Sequence, residues 1–322
     1  MSSKEITPLD QISSDLPRIP LKAVTLSVVL AACVYLAMGV LTELDSVLQA
    51  IGSIPPLLYV ALIGLSLISY LARFSRWLIF LRPVQPEISV RVHASIYFAG
   101  FALTTTPGKA GETIRSLYLR PLGIKYPMSL AAFFSERLLD VVIVTSLALL
   151  AMGAVSTYSR WYVSVAFVFI ALFLLMRSKR FTVLLKRPSK RRFGVLAGEF
   201  QGYVNRFLSN RMLCFVIPPS AVAWICQGVS LALIVDSFGY DFSIWVIVGI
   251  YCISILAGAA TFIPGGIGAT EAAIALLLSG IGMDPTQAVA ASIISRVVTL
   301  WFAIAIGMLA LSNINNKASM IE

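Results

Sequence analysis

The sequence predicts an all-α polytopic membrane protein of about six full transmembrane helices plus two broken, re-entrant hairpins, arranged as a repeat of inverted topology. Three observations predict it. Of 322 residues, 58% are hydrophobic and only 12% charged, with a mean hydropathy of +0.89, whereas soluble domains are about 25% charged. Apolar runs of the length a span needs recur along the chain, about 20 residues each. Two apolar runs end in a proline–glycine break followed by an acid: Pro107-Gly108-Lys109-Ala110-Gly111-Glu112 and Pro264-Gly265-Gly266-Ile267-Gly268-Ala269-Thr270-Glu271.

The two breaks share their punctuation. Proline and glycine stop an entering helix, and Glu112 and Glu271 then put a carboxylate where hydrocarbon is expected. In each copy an arginine follows the acid 25 residues on, Arg137 after Glu112 and Arg296 after Glu271. Between acid and arginine lie a glycine and a proline, Gly123 and Pro127 or Gly282 and Pro285. An internal repeat accounts for this spacing.

Taken in order, residues 1–22 form a polar tail with no cleavable signal pattern, and the first span covers about 23–41. Lys4, Arg18 and Lys22 precede it and Glu43 and Asp45 follow, which places the N-terminus in the cytoplasm. The second span, about 56–81, returns inward carrying Arg73 and Arg76, which share a helix face. Near the end of a span such a pair reads as snorkelling to phosphates, or as a grip on a lipid headgroup. Residues 90–122 then enter, break and return, and 128–153 cross outward with Glu136, Arg137 and Asp140. Residues 161–176 cross back. The loop at 177–211 holds ten basic residues against one acid, Glu199, so it stays cytoplasmic and meets anionic headgroups. Within it Phe193, Leu196, Phe200, Tyr203 and Phe207 recur every three or four residues, the mark of a helix in the interface. The second half, 213–312, repeats the first (about 56–153) from the opposite face, and 313–322 is a cytoplasmic tail. The spans form one domain over 23–312. Residues 90–106 and 243–262 are also long enough to be complete spans.

Glu112, Arg115, Glu136, Arg137, Asp140, Glu271 and Arg296 therefore fall within or beside apolar segments. Each costs at least ~2.5 kcal/mol at the bilayer centre, so it is paired or functional. The acids and arginines pin the hairpins to the following spans, or Arg137 and Arg296 meet a phosphate with the acids as counter-charges. A guanidinium fork suits phosphate and stays charged. Both broken helices point their N-termini at the break, where an anion meets free amides and a favourable dipole. The one histidine, His93, and the cysteines Cys33, Cys214, Cys226 and Cys252 have no metal-type spacing. No metal, no cofactor and no nucleic-acid partner are expected.

With these residues in place the chain resembles, over roughly residues 20–312, the lysylphosphatidylglycerol synthase transmembrane-region family of flippase-like membrane proteins. The resemblance rests on Thr106-Pro107-Gly108-Lys109-Ala110-Gly111-Glu112 with Arg115, Ser135-Glu136-Arg137 with Asp140, Pro264-Gly265-Gly266-Ile267-Gly268 with Glu271, and Ser295-Arg296. Lys109 departs from it, since the family's first break more often has a second glycine there; a lysine could itself hold a phosphate. The resemblance implies a module moving amphiphilic lipids between leaflets, in multidomain members fused to an aminoacyl-transfer domain, and here standing alone. The expected protein is a lipid flippase or lipid-precursor transporter of the bacterial inner membrane. It takes a phospholipid or lipid-linked substrate, driven by an ion gradient or passive. Gly108, Gly265, Gly266 and Gly268 give the headgroup close backbone approach. Two other readings stand beside it: a membrane transferase using Glu136, Asp140 or Glu271 as base, and a scaffold for a separate aminoacyl- or glycosyl-transferase. A homo-oligomer is compatible with all three.

Overall fold

A proline at the first turn, where no amide donor is needed, opens both α2 (Pro56–Leu81) and α10 (Pro285–Arg296). The computed structural model describes residues 44–105, 107–152 and 192–319, and every regular element among them is helical. The tail at 1–22, the spans expected at 23–41 and 161–176, and residues 177–191 of the basic loop lie outside the described residues. After α1 (Leu44–Gly52) and α2 come α3 (Val90–Ala99), a 3-10 continuation to Leu103, a 3-10 segment Pro107–Ile114 and α4 (Arg115–Leu119). α5 (Tyr126–Met152) ends the first half. α6 (Arg192–Phe207) precedes α7 (Asn210–Ser237), α8 (Ile244–Ala260), a 3-10 turn Pro264–Gly266, α9 (Ala269–Gly280) and α10. A π-helical turn, Val297–Trp301, joins α10 to α11 (Phe302–Ser319).

Three of these helices are long and apolar enough to cross a membrane: Pro56–Leu81, Asn210–Ser237 and the continuous Pro285–Ile314. α5 has the length, 27 residues, and carries the three predicted charges. The limbs entering the breaks are shorter. α3 with its 3-10 continuation is 14 residues and α8 is 17, roughly 23 and 26 Å against a core of about 30 Å. Both limbs turn back. Gly123, after the first return, lies against Gln85, just before α3. Asp284, after the second, donates its amide to the Tyr240 hydroxyl, just before α8, at 3.0 Å. Each limb and its return therefore form a hairpin whose two ends lie together.

The two returns end in the same hydrogen-bonded cap. Ile124 N donates to Leu119 O and Gly123 N to Arg120 O; Met283 N donates to Leu278 O and Gly282 N to Ser279 O. This cap needs a left-handed residue, and Gly123 (φ 85°) and Gly282 (φ 104°) supply it. The repeat read from sequence spacing is therefore a repeat of local structure.

The halves pack reciprocally. α2 lies along α7, α3 along α11, α8 along α5, and the two breaks touch. Leu62, early in α2, shares an apolar cluster with Leu231 and Ile234, late in α7. Phe80 and Leu81, late in α2, share another with Leu213 and Val216, early in α7, so the two helices run antiparallel. Val92 clusters with Leu311 and Ile314, while Ala102, ten residues on, meets Gly307, so α3 and α11 are antiparallel as well. The first hairpin thus opens at the end of the bundle where α2 finishes and α6 packs. The second opens at the end where α2 begins and α1 packs on α10.

Hydrocarbon gives no hydrophobic drive between helices, so close contact depends on small residues. Gly307 lets α11 touch the backbone of Phe101 and Ala102, and Gly228 admits Val248. α6 departs from a helix lying in the interface by itself. Its stripe packs into the bundle through Val204 and Phe207, with the Phe207 ring tilted against Phe80 at 4.8 Å and Phe200 edge-on to Phe134 at 5.8 Å. Leu196, predicted on the same stripe, remains exposed.

Candidate functional site: a charged cavity where the two breaks meet

At the second break the chain turns through four left-handed residues, Phe262 (φ 55°), Gly265 (67°), Gly266 (65°) and Gly268 (85°). Three glycines make that path affordable for the backbone; Phe262 takes it with a side chain and stands 78% exposed. Glu271, in the first turn of α9, accepts from Gly268 N at 2.8 Å and from Arg296 Nε at 2.9 Å. Arg296 Nη2 donates to Gly265 O at 2.6 Å. The protein's own carboxylate therefore meets the amide and dipole of this helix start, the place the sequence offered to a ligand anion. Arg296 is the last residue before the π turn. There the ladder widens, and hydroxyls of α2 accompany it: Ser66 Oγ donates to Val298 O at 2.7 Å, and the Tyr70 hydroxyl to Thr299 O.

The first break is built differently. Residues 107–114 run as a 3-10 helix, and α3 already tightens to 3-10 at Gly100. Glu112 accepts from Thr104 Oγ1 at 3.0 Å and pairs with Arg115 (3.1 Å) and Arg137 (3.7 Å). Arg115 lies over the Tyr97 ring at 4.1 Å, donates to Tyr97 O at 3.1 Å, and stands 3.6 Å from Glu136. Asp140 is the hub. It takes Arg76 at 2.7 Å, Trp224 Nε1 at 3.1 Å, Arg137 at 3.3 Å and Arg73 at 3.8 Å. Arg76 also reaches Ser220 Oγ at 3.0 Å and Glu136 at 3.6 Å. Arg73 stacks 4.2 Å over Trp224 and donates to Gln227 Oε1, which also accepts from the Tyr251 hydroxyl.

These contacts correct the surface reading of α2. Arg73 and Arg76 do not snorkel; they are buried, 5% and 0% exposed, and tied to α5 and α7. Their partner Asp140 lies 64 residues from Arg76, so no local pattern announces the pair. A buried charge is kept only if paired and hydrogen-bonded, and here four arginines face three carboxylates. With all ionised, the network carries one surplus positive charge.

Between the two breaks lies a cavity of about 310 Å³. Of the predicted residues, Arg73, Glu112, Arg137, Asp140, Gly265, Gly266 and Arg296 line it. Arg76, Arg115, Glu136 and Glu271 stand behind them as buried supports. Gly111 belongs to the 3-10 wall. Pro107, Gly108 and Lys109 are described by backbone alone, so the expectation that Lys109 holds a phosphate concerns a side chain outside the described residues. Pro264 and Gly268 flank the second corner. Arg137 is the most open of the charges, its side chain 22% exposed against 0% for Glu136. The far wall is apolar, including Val144, Ile255, Leu256 and Leu300.

Sequence reasoning missed Thr104, Trp224, Gln227, Tyr251 and Thr270, all of which line the cavity. Gln227 was the findable one, a lone amide in the middle of an apolar run. Among the described residues no cluster of histidine, cysteine and acids has the form of a metal site.

The profile of the family described as "Lysylphosphatidylglycerol synthase TM region" matches residues 24–307. A "UPF0104 membrane protein" of Methanothermobacter thermautotrophicus is 26% identical, covering 76% of this chain and 81% of its own length. A further UPF0104 membrane protein, from Pyrococcus horikoshii, is 24% identical over 76% of this chain and 84% of its own. With nearly the whole chain matched and the apolar helices in place, the protein belongs to the lysylphosphatidylglycerol synthase TM-region family of multi-pass membrane proteins.

Proposed function

We propose that the protein carries the headgroup of an anionic or zwitterionic phospholipid, or of a lipid-linked precursor, between leaflets of the plasma membrane, with both termini cytoplasmic. The observation that supports this most is the cavity itself. It lies where two oppositely opening hairpins touch, it has arginines from both halves in its wall, and it continues into apolar surface. Arg137, Arg73 and Arg296 offer guanidinium groups to a phosphate. Glu112 and Asp140 hold Arg137 and Arg73, and Glu271 holds Arg296, while the site is empty, and they give them up, in part, when a phosphate enters. The surplus positive charge of the network favours a ligand with at least one negative charge. Acyl chains stay in the bilayer, beside the apolar wall, while the headgroup crosses.

The test is reconstitution of the full chain in vesicles whose phospholipid carries a fluorescent headgroup, with leaflet exchange followed by surface quenching. Wild type is expected to accelerate exchange, and Arg137→Gln to lose most of that rate while keeping its melting temperature. Wild-type vesicles exchanging no faster than empty ones would overturn the reading. A product formed without exchange would replace it with a transferase.

A further inference from the structure

We propose a second lipid site, separate from the central cavity, in the groove between α6 and the turn joining α4 to α5. It holds the phosphate headgroup of an anionic phospholipid taken from the surrounding leaflet. The groove measures about 770 Å³ and is lined by Arg120, Lys125, Tyr126, Leu130, Leu196 and Phe200.

The charges there are uncommitted. Arg120 and Lys125 are both exposed, and among the described residues neither makes an ion pair. Arg120 lies 4.8 Å over the Tyr126 ring, which holds its guanidinium at the rim. Glu199 is the acid in the lining, so the groove keeps one net positive charge. In the central network, by contrast, each arginine lies within ion-pair distance of at least one carboxylate.

The apolar side of the groove is also unfinished. α6 buries Val204 and Phe207 in the bundle, but one turn before Phe200 the same stripe is open among the described residues. Leu196 is 44% exposed, and Leu130 of α5, across the groove, is 37% exposed. Cations thus sit beside exposed apolar side chains, at the end of the bundle to which the sequence assigns the basic loop. A free anion would use only the cations. An anionic phospholipid uses both, with its phosphate on Arg120 and Lys125 and an acyl chain along Leu130 and Leu196. The site does not rest on the transport reading, since none of its residues lines the central cavity.

The test is native mass spectrometry of the purified full chain titrated with phosphatidylglycerol or with phosphatidylcholine of the same acyl chains. Arg120→Gln/Lys125→Gln is expected to bind phosphatidylglycerol about tenfold more weakly, with phosphatidylcholine unchanged. Ala197→Trp, which fills the groove and leaves both cations in place, is expected to give the same loss. Arg137→Gln, in the other cavity, should leave that component of binding intact. Equal binding of the two lipids by wild type, or unchanged phosphatidylglycerol binding in both groove variants, would overturn the proposal. Displacement by equimolar inorganic phosphate would also overturn it, marking an anion site with no lipid specificity.

Discussion

The two breaks solve one problem with different means. At the second, a single arginine, Arg296, reaches one carboxylate and one carbonyl, and the backbone takes the turn through glycine. At the first, residues 107–114 form a 3-10 helix, and the charges form a web of four arginines and three carboxylates drawn from α2, the break, α4 and α5. The difference teaches where redundancy lies. Among the described residues the ion pairing of the second corner runs through Arg296, whereas that of the first is spread over four arginines. The corner with fewer ties is expected to fail sooner, and the corner with more to tolerate the entry of a competing anion.

Arg296→Ala should have the largest effect. It leaves Glu271 buried with its main cation gone and the Gly265 carbonyl without its guanidinium, and breaking a buried pair costs about 3–5 kcal/mol. A thermal melt in detergent should show a steep loss, and adding Glu271→Ala should recover part of it; no recovery would mean that the pair does not act as a unit. Glu112→Gln should cost less, about 1–3 kcal/mol, because Arg115 keeps Glu136 and Arg137 keeps Asp140. If the same melt ranked this variant below Arg296→Ala, the contrast in redundancy would be wrong. Gly265→Ala tests the backbone half of the comparison. Its φ of 67° should cost about 1–2 kcal/mol, with little steric penalty, since the new carbon would stand 3.4 Å from Ile267 and Thr105. Smallest in stability is Arg137→Lys, within about 1 kcal/mol, yet it gives up the fork that suits phosphate. Leaflet exchange should fall while the melt barely moves, and parallel falls would make Arg137 a structural pin only.

Much of this architecture is legible from spacing because the chemistry is local to each repeat. The interval of 25 residues from acid to arginine spans a returning limb, a capped glycine turn and part of the next helix. At both breaks it ends in a direct ion pair, Glu112 with Arg137 and Glu271 with Arg296. Gly123 and Gly282 were readable for the same reason, since each cap closes within six residues. Asp140's role as hub was not readable, because its partners Arg73, Arg76 and Trp224 come from two other helices. Arg73 and Arg76 were misplaced at the surface because a helix face says what is adjacent along one helix, not what faces it. The burial of Val204 and Phe207 escaped for a related reason: periodicity marks an apolar stripe but not whether protein or membrane covers it.

The widened turn after Arg296 has a consequence for how one long helix can answer two neighbours. An extra residue in a helical turn advances the phase of everything beyond it by about 100°. α10 can thus direct one stripe toward α9, α7 and α1 while α11 directs a different one toward α3, which an unbroken α-helix with a single apolar stripe could not do. Removing one residue from Val297–Trp301 would rewind α11 by that same angle. It would swing Gly307 away from Ala102 and unseat the opposite hairpin, with Arg296 itself untouched.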